Sequence, residues 1–364
     1  MFFVHPQIKL NKENLKRIFL GFSKKPDLSS LQEKLSFYFS GKQIVFTDMG
    51  RSAFKIIIEK LNLQNSEILL PAFLCDIFYP ILKRYNIKPI FLDIDIKTFN
   101  IRPEEIKEKL TPETKAILVC HTFGLPFEME KMGEIDRDFL IIEDCAHSFG
   151  AKYQDNFVGS FGKVSFFSIY KQFPRTTFIF RDFISFLNSF PFFAFLFKTF
   201  GQNIAPRWVR KEKMLQPAQI NSVSLSFFSQ FFGEYEKNLK KRISLALLFQ
   251  EKLKKLDFEI QESKNNVFCY LSALIPKRWE GKRDEFVQKL RKRKVFCTRI
   301  WHDKINSAII FNPDVQKEYH LNVSDFPNTV EAAKRMINFP LQNYYQERDI
   351  ERMVKKVKKT LAEL

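Results

Sequence analysis

Glycine, cysteine and long apolar runs are all scarce in this sequence of 364 residues. With 11 glycines, the chain has little room for glycine-rich loops, so each glycine in a motif is informative. The cysteines are odd in number and no two have the spacing of metal ligands, so we predict neither a disulfide framework nor a metal site. They are Cys75, Cys120, Cys145, Cys269 and Cys297. The simplest expectation is a reducing, intracellular compartment.

The longest apolar stretch is too short and too polar for a membrane span. It covers residues 184–197, contains Asn188 and Pro191, and falls short of the roughly 20 residues that a spanning helix needs. We favour two short packed helices over 178–200, with a bend at Pro191. Contact with a membrane surface is the alternative, because lysine and arginine flank the stretch. Residues 1–10 lack the apolar core of a signal peptide, and we expect a cytoplasmic protein.

Negative charge is in the minority, since 59 Lys and Arg against 41 Asp and Glu give a net charge of +18. The basic residues are spread along the chain, and the densest run, at 291–294, is typical of the solvated end of a helix. No nucleic-acid-binding motif is present, so we predict no nucleic-acid partner. A basic field would instead attract a phosphorylated or nucleotide-linked substrate.

The periodicity of the first half predicts an α/β fold. Helical patterns at 51–61, 74–85 and 103–110 alternate with short apolar runs. These runs lie at 67–70, 89–93, 116–120, 139–142 and 164–167. Because they are apolar throughout rather than alternating, we expect a mostly parallel sheet that is covered on both faces.

The second half predicts a smaller α+β lobe. Helical patterns at 235–256, 283–290 and 349–361 surround strand-like runs at 266–275 and 294–300. The length of the chain also favours two domains. We place them at 1–230, as the large domain with an N-terminal arm, and at 231–364.

A short turn before the first of these helices could bind a phosphate. Gly50, Arg51 and Ser52 open the helical pattern, and the N-terminus of a helix offers backbone N–H groups to an anion. The alternative is a simple helix cap provided by Ser52.

The run at 139–151 carries the densest cluster of chemical groups. An apolar strand delivers Glu143 and Asp144, followed by His147 and then by Gly150. A carboxylate at this position can pair with a pyridinium nitrogen and keep the ring protonated, which makes the ring an electron sink. The alternative is an acidic strand end that caps a helix.

Two further motifs follow apolar strands. Ser168 and Lys171 follow the strand-like run at 164–167. Lysine is the residue that forms Schiff bases with aldehydes. His121 follows the run at 116–120, where a loop histidine that is satisfied by the backbone and a chemical role are both open. The carboxyl ends of strands in an open α/β sheet are where ligands bind.

The order of these motifs resembles the DegT/StrS family of sugar aminotransferases. The segments that carry the resemblance are GRSA, LLPAFLCD, FLDIDIKTFNI, TPETKAILVCHTFGLP, IIEDCAHSFGA and VGSFGKVSFFSIYK. The resemblance implies the pyridoxal-phosphate (PLP)-dependent transferase fold of type I and a homodimer. It also implies transfer of an amino group, commonly from glutamate, to a keto sugar attached to a nucleotide, as in polysaccharide biosynthesis.

The same resemblance implies a role for each site residue. Lys171 would form the internal aldimine with PLP, and Asp144 would pair with the pyridine nitrogen. His147 would lie near the ring and its phenolic oxygen. Four residues would contact the phosphate: Gly50, Arg51, Ser52 and Ser168.

This sequence departs from the family pattern in three places. The family usually has a longer gap between its serine and its lysine than the one from Ser168 to Lys171. No glycine occurs between Gly162 and Gly201, although the family usually has a glycine-rich turn after the lysine. Cys75 stands where many members have an aromatic residue that stacks on the ring. A catalytically degenerate relative that binds PLP or a partner, with or without membrane association, is therefore the alternative to an active enzyme. A sugar dehydratase is a third possibility, but Lys171 argues against it.

Overall fold

The structure is a computed structural model that describes most of the chain. The described residues are 2–3 (backbone only), 11–24, 26–39, 41–135, 138–168, 220, 222–262, 264–304 and 307–364. Lys171 and the apolar stretch 178–200 lie outside them. None of the helices in the described residues has the length and apolarity needed to cross a membrane.

A parallel sheet of five strands forms the centre of the described large lobe. The strands are β2 (Glu67–Pro71), β3 (Lys88–Leu92), β4 (Thr114–Cys120), β5 (Leu140–Asp144) and β8 (Val164–Phe166). Their order across the sheet is β3-β2-β4-β5-β8, and every neighbouring pair is parallel. The expectation of a mostly parallel sheet is therefore confirmed. The remaining strands of this half are short: β1 (Phe2–Phe3), β6 (Lys152–Tyr153) and β7 (Asn156–Phe157).

Both faces of the sheet are covered, as the apolar runs predicted. Successive residues of β4 belong to different cores: Leu118 packs with Phe54 on one face, and Val119 packs with Ile106 on the other. All four side chains are fully buried. Since side chains alternate along a strand, a strand with only apolar residues requires helices on both sides.

The described first half has six α-helices, of which three were predicted, at 51–61, 74–85 and 103–110, and three were not. They are α1 (Lys12–Ser23), α2 (Leu28–Ser36), α3 (Gly50–Lys60), α4 (Tyr79–Arg84), α5 (Pro103–Lys109) and α6 (Glu130–Gly133). Only α4 is shorter than expected. Residues 74–78 are held instead by the second lobe, because Ile309 N donates to Leu74 O at 2.7 Å and Asp76 N donates to Ser307 O at 3.0 Å.

The second half forms the expected helix-and-strand lobe. Its strands are β9 (Glu259–Ile260), β10 (Leu271–Leu274), β11 (Val295–Phe296) and β12 (Met336–Phe339). Strands β9, β10 and β12 form an antiparallel sheet. Its helices are α7 (Ser222–Phe232), α8 (Tyr235–Lys254), α9 (Arg283–Lys292), α10 (Pro313–Glu318), α11 (Pro327–Arg335) and α12 (Glu347–Leu361).

The carboxylate at the end of β3 joins the two lobes. Asp93 is buried, and its Oδ1 accepts hydrogen bonds from Thr329 N at 2.8 Å and Thr329 Oγ1 at 2.7 Å. Its Oδ2 accepts one from Asn328 N at 3.0 Å. Asp93 thus caps α11, a helix that is more than 200 residues away in the sequence. The domain limits 1–230 and 231–364 stay a prediction.

The strand expected at 266–275 begins only at Leu271, because its first half pairs with a loop of the large lobe. Val267 N donates to Gly124 O at 3.0 Å, and Cys269 N donates to Phe123 O at 2.9 Å. Phe268 adopts a positive φ of 49°, which no regular strand allows. This loop-to-loop pairing cannot be recognised from periodicity.

Candidate functional site

Three strands end side by side at one edge of the sheet. The register aligns Cys120 at the end of β4 with Asp144 at the end of β5, and Asp144 with Phe166 at the end of β8. Cys145 N, just beyond β5, donates to Phe166 O at 2.9 Å. This is the carboxyl edge of the sheet, where ligands of open α/β sheets bind.

Asp144 is half-buried at this edge, and its side chain is already oriented. Oδ1 accepts a hydrogen bond from Ala146 N at 2.9 Å, and Oδ2 lies 3.8 Å from Cys120 Sγ. Burial raises the pKa of the Cys120 thiol, and the charge of Asp144 adds to this effect. The thiol is therefore protonated and can donate to the carboxylate.

Helix α3 begins next to the same edge. Its N-cap is Met49, which provides no side-chain hydrogen bond, and no acidic residue stands in the first turn. Ser52 is the third residue of the helix, so the alternative in which Ser52 caps the helix is wrong. The N–H groups of Gly50 and Arg51 have no intrahelical acceptor and lie at the positive end of the helix dipole. Ser52 N already donates to Met49 O at 3.0 Å.

Two polar atoms near this helix end lack partners. Among the described residues, Arg51 Nε and Asp48 Oδ1 are buried without a hydrogen-bond partner. Buried polar groups in native proteins are nearly always satisfied, so unpaired ones suggest a missing group. Arg51 Nε is a donor, so a cationic side chain at an uncapped helix start fits an anion such as a phosphate. Asp48 Oδ1 is an acceptor and would need a donor instead.

A cavity of about 410 Å³ lies in front of the helix start. Gly50 and Ser168, two of the predicted phosphate contacts, both line it, together with Lys42 and Lys163. Six phenylalanines also line it: Phe39, Phe46, Phe149, Phe166, Phe167 and Phe228. The structure thus brings together one residue from α3 and one that follows β8, 118 positions apart in the sequence. Arg51, Ser52, Asp144 and His147 do not line this cavity.

His147 lies in an aromatic cluster between the two lobes. Its ring is nearly parallel to that of Phe123, with centroids 5.5 Å apart, and it also contacts Tyr270 and Trp301. Phe123 and Trp301 are stacked on each other at 5.3 Å, and both adopt positive φ angles, of 56° and 57°. Strained aromatic residues of this kind are concentrated at functional sites. The role of His147 beside the cofactor stays a prediction.

Glu143, the neighbour of Asp144, points into the protein and is completely buried. Its Oε2 accepts hydrogen bonds from Gly159 N at 2.7 Å and His121 Nε2 at 3.1 Å, and its Oε1 accepts one from Gly162 N at 2.6 Å. Burial alone would raise the pKa of this carboxyl, but the hydrogen bonds from His121 and the two glycines outweigh it and lower the pKa. Glu143 is therefore an anion in the interior.

The tautomer of His121 follows from its other contact. His121 Nδ1 accepts a hydrogen bond from Phe127 N at 3.0 Å, so the proton of the neutral ring is on Nε2 and is donated to Glu143. The side chain of His121 is thus satisfied by the backbone and by one carboxylate.

His121, Glu143 and Cys145 also place donor atoms within 4.8 Å of one another. Those atoms are already engaged: both nitrogens of His121 and both oxygens of Glu143 take part in hydrogen bonds. Burial raises the pKa of the Cys145 thiol well above its ordinary value, which opposes the thiolate that a metal needs. His121 and Glu143 therefore belong to a buried hydrogen-bond network rather than to a metal site.

The motifs in the sequence did not reveal this hydrogen-bond network. The only available signal was the spacing of two glycines, Gly159 and Gly162, in a chain with very few glycines. Lys42 donates hydrogen bonds to the carbonyl groups of these two glycines. It belongs to no motif and could not be found from the sequence.

The described residues fit the phosphate and the ring nitrogen of PLP. The uncapped start of α3, the unpaired Arg51 Nε and the nearby Ser168 suit a phosphate, and the half-buried Asp144 suits a cationic nitrogen. Lys171, the predicted attachment point, is three residues beyond Ser168 and lies outside the described residues.

Comparisons with known proteins agree with this geometry. The model of the DegT/DnrJ/EryC1/StrS aminotransferase family matches residues 14–178 and 218–358. GDP-perosamine synthase of Escherichia coli O157:H7 is 35% identical over 116 residues, which are 31% of this chain and only 32% of that protein.

Solved structures resemble the whole chain at low identity. PseC of Helicobacter pylori, an aminotransferase involved in the biosynthesis of pseudoaminic acid, superposes with a TM-score of 0.75 at 15% identity, with full coverage of both chains. GDP-4-keto-6-deoxy-D-mannose-3-dehydratase of E. coli, with bound hydrated PLP, superposes with a TM-score of 0.74 at 19% identity, covering 98% of this chain and 100% of that one. These likenesses confirm the α/β fold of PLP-dependent transferases of type I, and the family match confirms PLP as the cofactor.

Proposed function

Because the chain belongs to the DegT/DnrJ/EryC1/StrS aminotransferase family, we propose that it is a PLP-dependent aminotransferase that acts on a sugar. The substrate is a keto sugar, most simply one linked to a nucleotide, and the amino donor is glutamate. The names of the relatives support a sugar substrate, since they include a perosamine synthase and an aminotransferase of pseudoaminic acid biosynthesis.

One structural observation carries this proposal. Gly50 at the uncapped start of α3 and Ser168 beyond β8 line the same cavity, next to the strand end that presents Asp144. Phe166 connects the two parts: it pairs in register with Asp144, and a Cβ placed on Gly50 would lie 3.7 Å from its ring. A phosphate and a protonated ring nitrogen can thus be held from neighbouring elements.

Each residue has a distinct task in this arrangement. Gly50, Arg51, Ser52 and Ser168 bind the phosphate through N–H groups, a guanidinium and hydroxyls, with the helix dipole adding to the attraction. Asp144 holds a proton on the pyridine nitrogen, because its carboxylate favours the cationic form. Bound PLP supplies an electron sink for the amino-group carbon. Lys171 would be the attachment point of the cofactor and would act as a general base.

The charge of the protein suits such a substrate. A net charge of +18 attracts a nucleotide diphosphate and raises its rate of encounter, with an effect that decreases as salt is added. A cytoplasmic location, where nucleotide-linked sugars are present, completes the proposal. A homodimer would bury the same surface of each subunit at a two-fold axis.

The alternative of a protein without catalysis rests on the departures from the family pattern. The segment after Lys171 contains no glycine before Gly201, where relatives usually have a glycine-rich turn, and Cys75 stands where many have a stacking aromatic residue. Such a protein would bind PLP or a partner, with or without membrane association, but would not exchange amino groups. The dehydratase alternative also stays open to test, since one structural neighbour is a dehydratase.

A spectrum of the purified protein before and after addition of glutamate separates these functions. An aminotransferase should absorb in the Schiff-base region and lose that absorbance when glutamate is added, because the amino group moves to the cofactor. Borohydride reduction before glutamate should fix the cofactor to the peptide that contains Lys171. A bound cofactor that does not respond to any amino donor would support the non-catalytic alternative. A protein that binds no PLP would refute the aminotransferase and leave only the form of the alternative that binds a partner.

A further inference from the structure

We propose that Glu143 is a positioning residue, which fixes the chain segment that carries Ser168 against the start of α3 without touching the cofactor. This inference rests on the proposed function for its effect on PLP, but its structural part can be tested without a cofactor. Glu143 and Asp144 are consecutive in β5, so their side chains point to opposite faces of the sheet. Asp144 lies at the ligand edge, and Glu143 is buried on the opposite side.

Glu143 holds the loop of residues 159–163, which directly precedes β8. Its two oxygens accept the N–H groups of Gly159 and Gly162, at 2.7 and 2.6 Å. At the other end of this loop Lys163 N donates to Ile141 O at 2.9 Å, and β8 begins at the next residue. The position of the loop therefore sets the register of β8 and of Ser168, two residues after the strand.

At Gly159 and Gly162 the loop lies too close to its neighbours for a side chain. A Cβ on Gly162 would lie 2.6 Å from the backbone oxygen of Ile141. A Cβ on Gly159, where φ is +92°, would lie 2.4 Å from Cζ of Phe167. Such contacts require a single, well-defined position of the loop, as expected when a buried anion organises the N–H groups around it.

The carbonyl groups of the same loop are held by a cation. Lys42 Nζ donates to Gly159 O at 3.1 Å and to Gly162 O at 2.7 Å. Burial lowers the pKa of Lys42, and the charge of Glu143 acts in the opposite direction. The two glycines thus donate to Glu143 and accept from Lys42, so the loop is fixed from both sides.

Replacing Glu143 by glutamine tests this arrangement, because an amide cannot accept all of the hydrogen bonds. If its NH2 group occupies the position of Oε1, it faces Gly162 N–H, and at the position of Oε2 it faces Gly159 N–H. Transfer of the His121 proton to Nδ1 does not help, since Nδ1–H would then face Phe127 N–H. Every arrangement leaves at least one buried donor without an acceptor.

Glu67→Gln is a matched control at the opposite end of the sheet. Glu67 is also buried, and it accepts hydrogen bonds from Thr111 Oγ1, Thr114 Oγ1 and Lys88 Nζ at 2.6, 2.7 and 2.9 Å. It lies at the amino end of β2, away from the ligand edge. A general loss of stability should therefore affect both variants alike.

The first measurement is hydrogen exchange in the protein without cofactor. Glu143→Gln should speed exchange of peptides covering 156–168 by at least tenfold, and Glu67→Gln should leave these peptides unchanged. Equal exchange in wild type and Glu143→Gln would overturn the inference, whatever the activity of the protein. If Glu143→Gln does not fold, Lys42→Met provides the same comparison from the carbonyl side.

The second measurement is the affinity for PLP, followed by absorbance, in variants shown to be folded by circular dichroism. Glu143→Gln should raise the dissociation constant at least tenfold, with the Glu67→Gln value within about twofold of wild type. An unchanged dissociation constant for PLP in Glu143→Gln would refute the positioning role but would not affect the proposed function. A wild-type protein that binds no PLP would refute the proposed function, and the exchange data would then decide the role of Glu143 by themselves.

Discussion

Asp144→Asn is the most direct test of the electron-sink role, because the structure indicates that it changes charge with little change in packing. Asparagine keeps an oxygen at the position of Oδ1, which accepts the hydrogen bond from Ala146 N. The new amide would face Cys120 Sγ, a weak acceptor, in place of the present 3.8 Å contact. We therefore expect a folded protein with an unfolding free energy within about 1 kcal/mol of wild type.

The expected loss of rate follows from the lost charge. A hydrogen bond between ionised groups contributes roughly 1.5–3 kcal/mol, and asparagine cannot keep a proton on the ring nitrogen. If the transition state loses this whole contribution, the rate decreases roughly 10- to 150-fold. Further loss follows if the ring is no longer protonated, so this is a lower range.

The assay is the half-reaction with glutamate under single-turnover conditions, followed by the cofactor spectrum. Asp138→Asn is the matched control, because Asp138 is exposed just before the amino end of the same strand, β5. Its rate should equal that of wild type. Near-native turnover in folded Asp144→Asn would show that another group controls the ring nitrogen, and the assignment of Asp144 would then be abandoned.

Three further predictions concern the loop, the charges and the assembly. Gly162→Ala should lower the unfolding free energy by about 2–5 kcal/mol in urea denaturation, since its Cβ would lie 2.6 Å from Ile141 O. The control Gly133→Ala, with open space around the new Cβ, should change the unfolding free energy by less than about 1 kcal/mol. Equal effects of the two substitutions would contradict the packing argument. Arg299 and Lys304 lower the pKa of the Asp284 carboxyl against the opposing effect of burial, so its contribution to stability is present above about pH 4 and is lost as the pH falls. Asp284→Asn should therefore destabilise the protein less at pH 3 than at pH 7, because the loss begins near the ordinary pKa and is complete only below the lowered pKa. A constant difference in unfolding midpoint would disprove this linkage. Sedimentation of the PLP-bound protein should show a dimer, whereas a stable monomer would refute the proposed assembly.

The apolar stretch 178–200 needs a separate experiment, because it lies outside the described residues. If it packs within the protein, the protein should ignore anionic vesicles in a flotation assay. Salt-sensitive flotation that is abolished by charged substitutions at Phe192 and Phe195 would instead establish contact with a membrane surface.

The local pattern of the sequence was sufficient for most elements of the large lobe. Continuous apolar runs such as 116–120 are typical of strands that are covered on both faces, and the alternation of strands with helices favours a parallel sheet. The alternation of strands with helices also placed Asp144 and Ser168 at the carboxyl ends of strands. In a parallel sheet all strands run in the same direction, so their carboxyl ends lie at one edge. The resemblance to a known family then supplied the cofactor.

The tertiary structure alone decided which polar side chains work together. From the sequence, Glu143 and Asp144 are equivalent acids, and only the pleat of β5 buries one and leaves the other at the ligand edge. In the same way Asp93 looks like the end of a strand, yet it caps a helix that begins at Pro327. Contacts between residues far apart in the chain depend on how complete elements pack, and no local period records them. Periodicity therefore determined the elements and their directions, whereas packing determined the partners of each buried charge.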